Sequence, residues 1–270
     1  MSIAGSGTQQ DPWIITTYDE LVEKAVESGE FLRINNDINI SDEYPDGDFP
    51  TLEIAADIDG NNKKISNWYR TTSDCGISVS GSTSQVRDLT FANIYHTTVN
   101  NEFMTAKGYN ANFHFVNCKF HGILSSRTFF SAYESDGSAN NFSSCSFYIQ
   151  SLYNNGAFVE DNWGYIGMRY CYVRVKGAAP YLFNTSRTTF VDSCYFETTM
   201  PIGAYSTIRN SVLDITSTTS FTASGSSSNA LNIINADHAP NATASTGFAL
   251  VDDEDWLDVD YLNFVGFNAG

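Results

Sequence analysis

The sequence predicts an all-β fold in which short strands stack as the coils of a solenoid. One observation behind this prediction is a hexapeptide of the form apolar-x-x-Cys-x-apolar, which recurs through the middle of the chain. Another is a second apolar run after each hexapeptide, separated from it by turns rich in Gly, Asn and Ser. No 3.6-residue helical periodicity fits within a unit, so the repeating coil is expected to consist of strands.

Six hexapeptides follow one another, with intervals of 29, 27, 26, 23 and 17 residues between their central positions. Equivalent residues of stacked parallel strands lie about 4.8 Å apart, so the central residues are expected to form an internal column. Cysteine suits such a position as a small, soft apolar residue. A metal-binding or redox role is the alternative, but a metal site would not accept the leucine at one end. The predicted column is Leu89, Cys118, Cys145, Cys171, Cys194 and Ser211.

The N-terminal residues depart from the strand pattern and predict a capping helix. A short strand is expected within 11–15, followed by a capping box in which Thr17 and Glu20 satisfy each other's backbone N–H groups. Apolar residues at helical spacing come next, at Leu21, Val22, Ala25 and Val26, and Gly29 is expected to end the helix. Such a helix would cover the first coil, whose core and strand edges would otherwise be exposed.

Three segments around this helix carry a resemblance to a known class. They are GSGTQQDPWII at 5–15, NDINI at 36–40 and DGNNKKISN at 59–67. Together with the helix, they resemble the opening of right-handed parallel β-helix proteins of the pectin-lyase-like class. The resemblance implies a single-stranded right-handed parallel β-helix of about eight coils over 51–247, preceded by a strand and capping α-helix in 1–50. That class includes lyases, hydrolases, adhesins and phage tailspikes, so it predicts architecture rather than activity.

The C-terminal segment 248–270 is similar to a closing segment that often follows such β-helices. Six acidic residues lie within 252–260, which raises the alternatives of a calcium loop or an acidic docking surface. The spacing lacks the glycine and the closing glutamate of an EF-hand. A short C-terminal cap in which Trp256 helps to cover the last coil is therefore the favoured interpretation.

Carboxylates that could serve catalysis cluster at one place in the sequence. A glycoside hydrolase needs two facing carboxyl groups, and a lyase needs a base together with calcium-binding acids. Glu134, Asp136, Glu160 and Asp161 would fall on neighbouring coils if Phe130 stacks on Phe158. Because surface acids are ordinary in a chain of net charge −17, the sequence favours a protein that is not an enzyme.

A histidine and cysteine group was considered as a metal site. His114 and Cys118 would share a face of a strand, but His121 would point the other way. Neither a metal nor a cofactor is predicted.

Several aromatic residues lie where strand alternation would turn them outward. Outward tyrosines could bind sugar rings or form a protein interface, and packing within the solenoid is the alternative. The candidates are Tyr148, Tyr153, Trp163, Tyr165, Tyr170, Tyr172 and Tyr195, and Trp256 in the C-terminal segment is a further interface candidate.

Charge and targeting signals narrow the choice of partners. Fourteen basic residues against 31 acidic ones argue against nucleic-acid binding. No apolar run reaches the 18 residues of a membrane-spanning helix. The N-terminus has no Sec-type signal peptide pattern, and the five cysteines are an odd number, so synthesis in a reducing cytosol is expected.

Three functions remain open from the sequence. The favoured one is a non-enzymatic structural or attachment protein, most specifically a phage virion component such as a capsid decoration or spike. Its partners would be the major capsid protein or further copies of itself, with a surface glycan as a further candidate. The alternatives are a polysaccharide-degrading enzyme and a bacterial surface adhesin.

Overall fold

The computed structural model describes residues 3–70, 75–80, 84–96, 102–107, 112–124, 128–133, 139–151, 157–161, 165–176, 181–185, 189–200, 206–209, 211–215, 232–235 and 248–251. The chain is a parallel β-solenoid, which confirms the predicted all-β parallel β-helix. Every pairing between the named strands of these residues is parallel, and the antiparallel contact among them is an isolated bridge between Ala4 and Ile14.

The first part of the chain holds two helices and two long strands. In chain order its elements are β1 (Trp13–Ile15), α1 (Tyr18–Ala25), β2 (Phe31–Ile34), β3 (Ile38–Asn39), α2 (Ile40–Glu43), β4 (Leu52–Ile54), β5 (Asp57–Arg70), β6 (Ile77–Val79) and β7 (Ser84–His96).

Short strands make up the rest of the described chain. They are β8 (Glu102–Lys107), β9 (Phe113–Val116), β10 (Lys119–Leu124), β11 (Thr128–Tyr133), β12 (Ala139–Ser143), β13 (Ser146–Ser151), β14 (Ala157–Asp161), β15 (Tyr165–Arg169), β16 (Tyr172–Lys176), β17 (Tyr181–Thr185), β18 (Thr189–Asp192), β19 (Tyr195–Thr198), β20 (Ser206–Arg209), β21 (Val212–Ile215), β22 (Asn232–Asn235) and β23 (Phe248–Val251).

Three faces form the wall of the solenoid. Face A contains β1, β2, the first parts of β5 and β7, and then β9, β12, β15, β18 and β20. Face B contains β3, the second parts of β5 and β7, and then β10, β13, β16, β19, β21, β22 and β23. Face C contains β4, β6, β8, β11, β14 and β17. In the coils whose three strands are all described, the chain therefore runs from A to B to C.

Stacked aromatic rings fill the interior between these faces. Phe91, Phe120 and Phe147 occupy one register position on successive strands of face B, with ring centroids 4.9 and 5.0 Å apart and nearly parallel planes. Phe129 meets this stack edge-on from face C, 5.4 Å from Phe120. Parallel in-register pairing puts identical residues one above the other, which is why a phenylalanine-rich repeat packs as continuous columns.

The corner between faces A and B carries the column of repeat centres. Register places Leu89, Cys118, Cys145, Cys171, Cys194 and Ser211 one above another there, and all six are buried. The residue before each of the first five has a φ of 53–54°, which turns the strand sharply at this point. Burial raises the pKa of the Cys145 and Cys194 thiols. The four cysteines are free thiols packed as small core residues.

Helix α1 caps the first coil through the predicted capping box. Thr17 accepts a hydrogen bond from the Glu20 N–H, and the Glu20 carboxylate accepts one from the Thr17 N–H. The helix covers Tyr18–Ala25 and ends four residues before Gly29, the residue expected to stop it, and Val26 is exposed. The Ala25 carbonyl instead accepts from the N–H groups of residues 55 and 56, which ties the helix to the next coil.

The short helix α2 has no counterpart in the sequence prediction. The Asn39 side chain caps it by accepting from the Ser41 N–H. Its Glu43 carboxylate accepts from the N–H groups of Tyr18 and Asp19, at 2.7 and 3.0 Å, and so joins the two helices.

Strand pairing continues across both boundaries between the three predicted segments, 1–50, 51–247 and 248–270. Strands β2 and β3, within residues 1–50, pair directly with β5. Strand β23, at the start of the segment 248–270, pairs with β22 on face B. The rest of the predicted C-terminal cap, residues 252–270, lies outside the described residues.

Candidate functional site

Of the four candidate catalytic acids, the structure describes the side chain of only Glu160. Glu134 and Asp136 lie outside the described residues, and for Asp161 only its backbone position in β14 is described. The expected stacking of Phe130 on Phe158 is wrong by one residue. Because Thr128 pairs with Ala157, Phe129 is the residue that stacks on Phe158, at 5.2 Å.

Glu160 lies on the outer side of face C. Register places it in one row with Ser131, Thr105, Ser78 and, at the start of the row, the exposed Glu53. Glu160 is nevertheless only 5% exposed, and its Oε2 accepts a hydrogen bond of 3.0 Å from Thr128 Oγ1. This contact fits a carboxylate that holds two neighbouring coils together.

The two histidines and the cysteine of the rejected metal site lie apart. His114 is on face A, where its Nε2 is 2.9 Å from Ser143 Oγ, and His121 is on face B. Burial lowers the pKa of both imidazoles, with smaller contributions from Arg169 near His114 and Lys119 near His121. Within the described ranges no group of three or more His, Cys, Asp or Glu side chains could hold a metal ion.

The outer side of face B carries a line of mostly aromatic side chains, here called the tyrosine stripe. It crosses six successive strands, β5, β7, β10, β13, β16 and β19, and consists of Tyr69, Tyr95, His121, Ile123, Tyr148, Tyr172 and Tyr195. Six strands at a spacing of about 4.8 Å give the stripe a length of about 24 Å.

Ring contacts join the stripe in two groups, Tyr69 with Tyr95 and His121 through to Tyr195. Ile123, on the strand of His121, pairs with Tyr95 between the two groups. Tyr69 and Tyr95 are paired in register, with centroids 5.2 Å apart and planes 5° apart. The Tyr148 ring packs between the His121 ring, at 4.9 Å, and the Tyr172 ring, at 5.3 Å. Aromatic pairs at these distances stabilise each other, so the strand backbone and the neighbouring rings both fix each side chain.

The stripe runs diagonally across face B. Tyr69 and Tyr95 occupy the register row that continues with Ile123, farthest from the cysteine corner. His121 and Tyr148 share the middle row, and Tyr172 and Tyr195 share the row beside the corner. The stripe is most open towards its N-terminal end, where Tyr69 is 45% exposed, whereas Tyr172 and Tyr195 are half-buried.

Charged groups hold the C-terminal end of the stripe. The Tyr172 hydroxyl donates to Glu197 Oε2 at 3.2 Å, and Glu197 Oε1 pairs with Arg174 at 3.0 Å and Lys176 at 3.4 Å. Burial, followed by the Glu197 charge, raises the pKa of Tyr172 to about 12. Tyr172 is therefore a neutral hydrogen-bond donor at physiological pH.

Sequence reasoning found part of this surface. Tyr148, Tyr172 and Tyr195 are on the stripe, whereas the strand of Tyr165 lies on face A. Tyr153, Trp163 and Trp256 lie outside the described residues. Tyr69 and Tyr95 were missed, although each follows an apolar residue that faces inward, Trp68 and Ile94. Strand alternation alone would have turned both tyrosines outward.

Comparisons with known proteins agree with the fold. No family model and no curated protein matches the chain. A solved structure from Bacteroides ovatus, described as a "putative immunoglobulin A1 protease", is similar over 98% of this chain and 90% of that one. Its TM-score is 0.58 and its sequence identity is 14%, so the likeness concerns the fold. Across the described residues, no helix is both long and apolar enough to cross a membrane.

Proposed function

We propose that this protein is a non-enzymatic structural or attachment protein that docks through the tyrosine stripe. The observation that carries this proposal is the line of outward side chains across six strands of face B, in which the aromatic rings stack in two groups. Tyrosine offers a large, rigid and amphipathic contact at little cost in conformational entropy. Aromatic residues and arginine are also enriched in protein interfaces, and Arg174 lies beside the stripe.

The rigid wall of the solenoid supports the same proposal. Every ring of the stripe is mounted on a strand that pairs with its neighbours, so little ordering is needed when a partner docks. Salt bridges with Glu197 lie along the edge, as in the polar rim of an interface.

The most specific form of the proposal is a phage virion component, either a capsid decoration or a spike. The docking partner would then be the major capsid protein or a second copy of this chain. The acidic composition, with a net charge of −17, favours a protein partner over nucleic acid. A bacterial surface adhesin would use the same stripe, and the particle experiment below separates the two.

Enzymatic alternatives have less support. The described contact of Glu160 is a hydrogen bond from a buried threonine, which suits a structural carboxylate. The Bacteroides ovatus protein is described as a protease, but this chain resembles it only in fold, and one fold serves many functions.

Sedimentation of particles tests the proposal. Cells that make the protein are lysed gently, large particles are banded by density, and each fraction is probed for this chain before and after a moderate salt wash. The wild type is expected in the particle band. A variant carrying Tyr69→Ser, Tyr95→Ser and Tyr148→Ser should be lost from it.

Tyr170 supplies the matched control. It is 56% exposed but lies at the corner between faces A and B, where Ser144 and Ser193 occupy the equivalent positions. The Tyr170→Ser variant should therefore remain with the particles. A wild-type protein found wholly in the soluble or envelope fraction would contradict the virion proposal, and equal retention of the triple variant would contradict the role of the stripe.

A further inference from the structure

A cleft of about 390 Å³ opens on the outer side of face A, at the N-terminal end of the solenoid. Its walls come from β2, β5 and β7 on one side and from residues 9–12 on the other. This volume lies within the range of about 300–1,000 Å³ that is typical of small-molecule sites. The cleft is on a different face from the tyrosine stripe.

The glycine motif at the start of the chain builds one wall of this cleft. The N–H groups of Ser6 and Thr8 donate to the Asp11 carbonyl, and the Gly7 carbonyl accepts from the Phe31 N–H at 2.9 Å. Gly7 has a φ of +73°, and a Cβ there would lie 1.4 Å from a Glu30 carboxylate oxygen. Only glycine fits this turn, which fixes the segment against β2 and sets Gln9 and Gln10 at the mouth of the cleft.

Three amide side chains at the cleft have unused hydrogen-bonding capacity. In the described part of the chain, no hydrogen bond engages the side-chain amides of Gln9, Gln10 or Gln85. Each amide can both donate and accept. Asp57 adds a carboxylate whose Oδ1 accepts from the Gln85 backbone N–H at 2.8 Å. These groups match a ligand that presents several donors and acceptors at once.

The charges of the cleft cancel. Arg33, Asp59 and Arg87 lie side by side on three strands, and Arg87 pairs with Asp59 at 3.1 Å. With Asp57, the cleft holds two guanidinium groups and two carboxylates. A strongly anionic ligand would meet the carboxylates, and a cationic one would meet the arginines, so the arrangement favours an uncharged ligand.

An aromatic ring lines the same cleft. Phe31 is partly buried and contributes to the wall beside Arg33. A pyranose ring combines hydroxyl groups around its edge with an apolar face of C–H groups. The edge suits amide, carboxylate and guanidinium partners, and the apolar face suits an aromatic ring.

From this combination we propose that the cleft binds a neutral saccharide, one or two pyranose units in size. Gln9, Gln10, Gln85 and Asp57 bind its hydroxyl groups, and Phe31 packs on its apolar face. The proposal goes beyond docking through the tyrosine stripe, since the two sites use separate faces of the solenoid.

Glycan binding by the purified full chain tests this proposal. The labelled protein is applied to a printed array of neutral oligosaccharides, with sialylated and sulfated glycans and an unrelated peptide set as separate arms. Any neutral binder is then titrated in solution by saturation-transfer NMR with its methyl glycoside. The expected result is binding in the neutral arm, weakened at least tenfold by the double substitution Gln9→Ser and Gln10→Ser.

Variants on face B show whether a loss of glycan binding comes from the cleft or from a general loss of folded protein. Gln150 is exposed on face B, so Gln150→Ser should leave glycan binding unchanged, as should the triple stripe variant. Phe31→Leu keeps an apolar side chain but removes the ring, and it should also weaken binding. The proposal is overturned if no neutral glycan binds, if binding occurs only in the anionic or peptide arm, or if the glutamine variants bind as tightly as the wild type.

Discussion

Tyr172 and Tyr195 stack face to face on the outside of the solenoid, with ring centroids 5.2 Å apart and planes 7° apart. The two residues are in register on β16 and β19, and each comes directly after a buried cysteine of the corner column. In these two coils, the same repeat therefore supplies one residue of the inner column and one residue of the outer stripe. One alternation of the strand buries the cysteine and exposes the tyrosine beside it.

The raised pKa of Tyr172 gives a prediction for alkaline pH. In the unfolded chain a tyrosine ionises near its ordinary pKa of 10.0, but in the fold the pKa of Tyr172 is about 12. Its contribution to stability is therefore complete below pH 10 and is lost as the pH rises from 10 to about 12. The Asp19 carboxylate and burial also raise the pKa of Tyr44 to about 12, so ultraviolet titration should show a component near pH 12 that is smaller by one tyrosine in Tyr172→Phe.

The Glu197→Gln variant is the control for that assignment. Burial is the larger cause of the raised pKa, so the Tyr172 component should move to lower pH but stay above the ordinary tyrosine pKa of 10.0. An unchanged titration curve in Tyr172→Phe would show that the component belongs to another tyrosine.

The lowered pKa of His114 predicts that the fold loses stability as the pH falls. Burial lowers the pKa of His114 in the fold, whereas in the unfolded chain the imidazole takes up its proton near the ordinary histidine pKa of 6.5. Stability from the neutral ring is therefore present above pH 6.5 and is lost as the pH falls through the lower pKa of the folded state. NMR titration should give His114 a pKa below 6.5, and His114→Gln should make the acid limb of the stability curve shallower. A pKa at or above 6.5 would contradict the burial seen in the structure.

The cysteine column predicts thiols that do not react in the folded state. All five cysteines are buried, and Cys118, Cys145, Cys171 and Cys194 are at most 1% exposed. A thiol reagent should modify them only as fast as the coils unfold, because the reagent cannot reach a sulfur atom inside the packed core. All five should react at once in denaturant. Rapid labelling of the native protein would contradict a packed column.

Glu160 provides a test that separates structure from catalysis. The Glu160→Ala variant leaves the buried Thr128 hydroxyl without this acceptor, which should lower the free energy of unfolding by about 1–3 kcal/mol. Glu160→Gln keeps an acceptor oxygen at the same place and should lose less. Denaturant unfolding measures both. A polysaccharide panel serves as the control, since cleavage that is abolished by Glu160→Gln would instead assign the residue to an active site.

The sequence predicted the structure best where the repeat contains a cysteine at the corner of the coil. Cys118, Cys145, Cys171 and Cys194 fix the corner of each coil, so the column and the outward side chains next to it follow from strand alternation. The first coils have no cysteine at the corner, and Tyr69 and Tyr95 were missed there for that reason. The predicted register of face C was wrong by one residue. The segments that join the corner to face C differ in length from coil to coil, so the cysteine positions do not fix that register.

The cleft on face A could not be predicted in the same way. Gln9 and Gln10 come close to Gln85 only because the turn at Gly7 folds the chain back onto β2. Such a contact depends on tertiary packing between distant segments. The exposed glutamines themselves carry no periodic signal in the sequence.

Tyrosine nitration on free and particle-bound protein would test the docking surface most directly. In the free protein Tyr69, Tyr95, Tyr148 and Tyr170 are all exposed, at 37–56%, and tetranitromethane should modify all four. In the particle-bound protein the three residues of the stripe should be protected, and Tyr170 at the corner should still be nitrated. Stripe tyrosines that remain as reactive on the particle as in solution would contradict docking through face B.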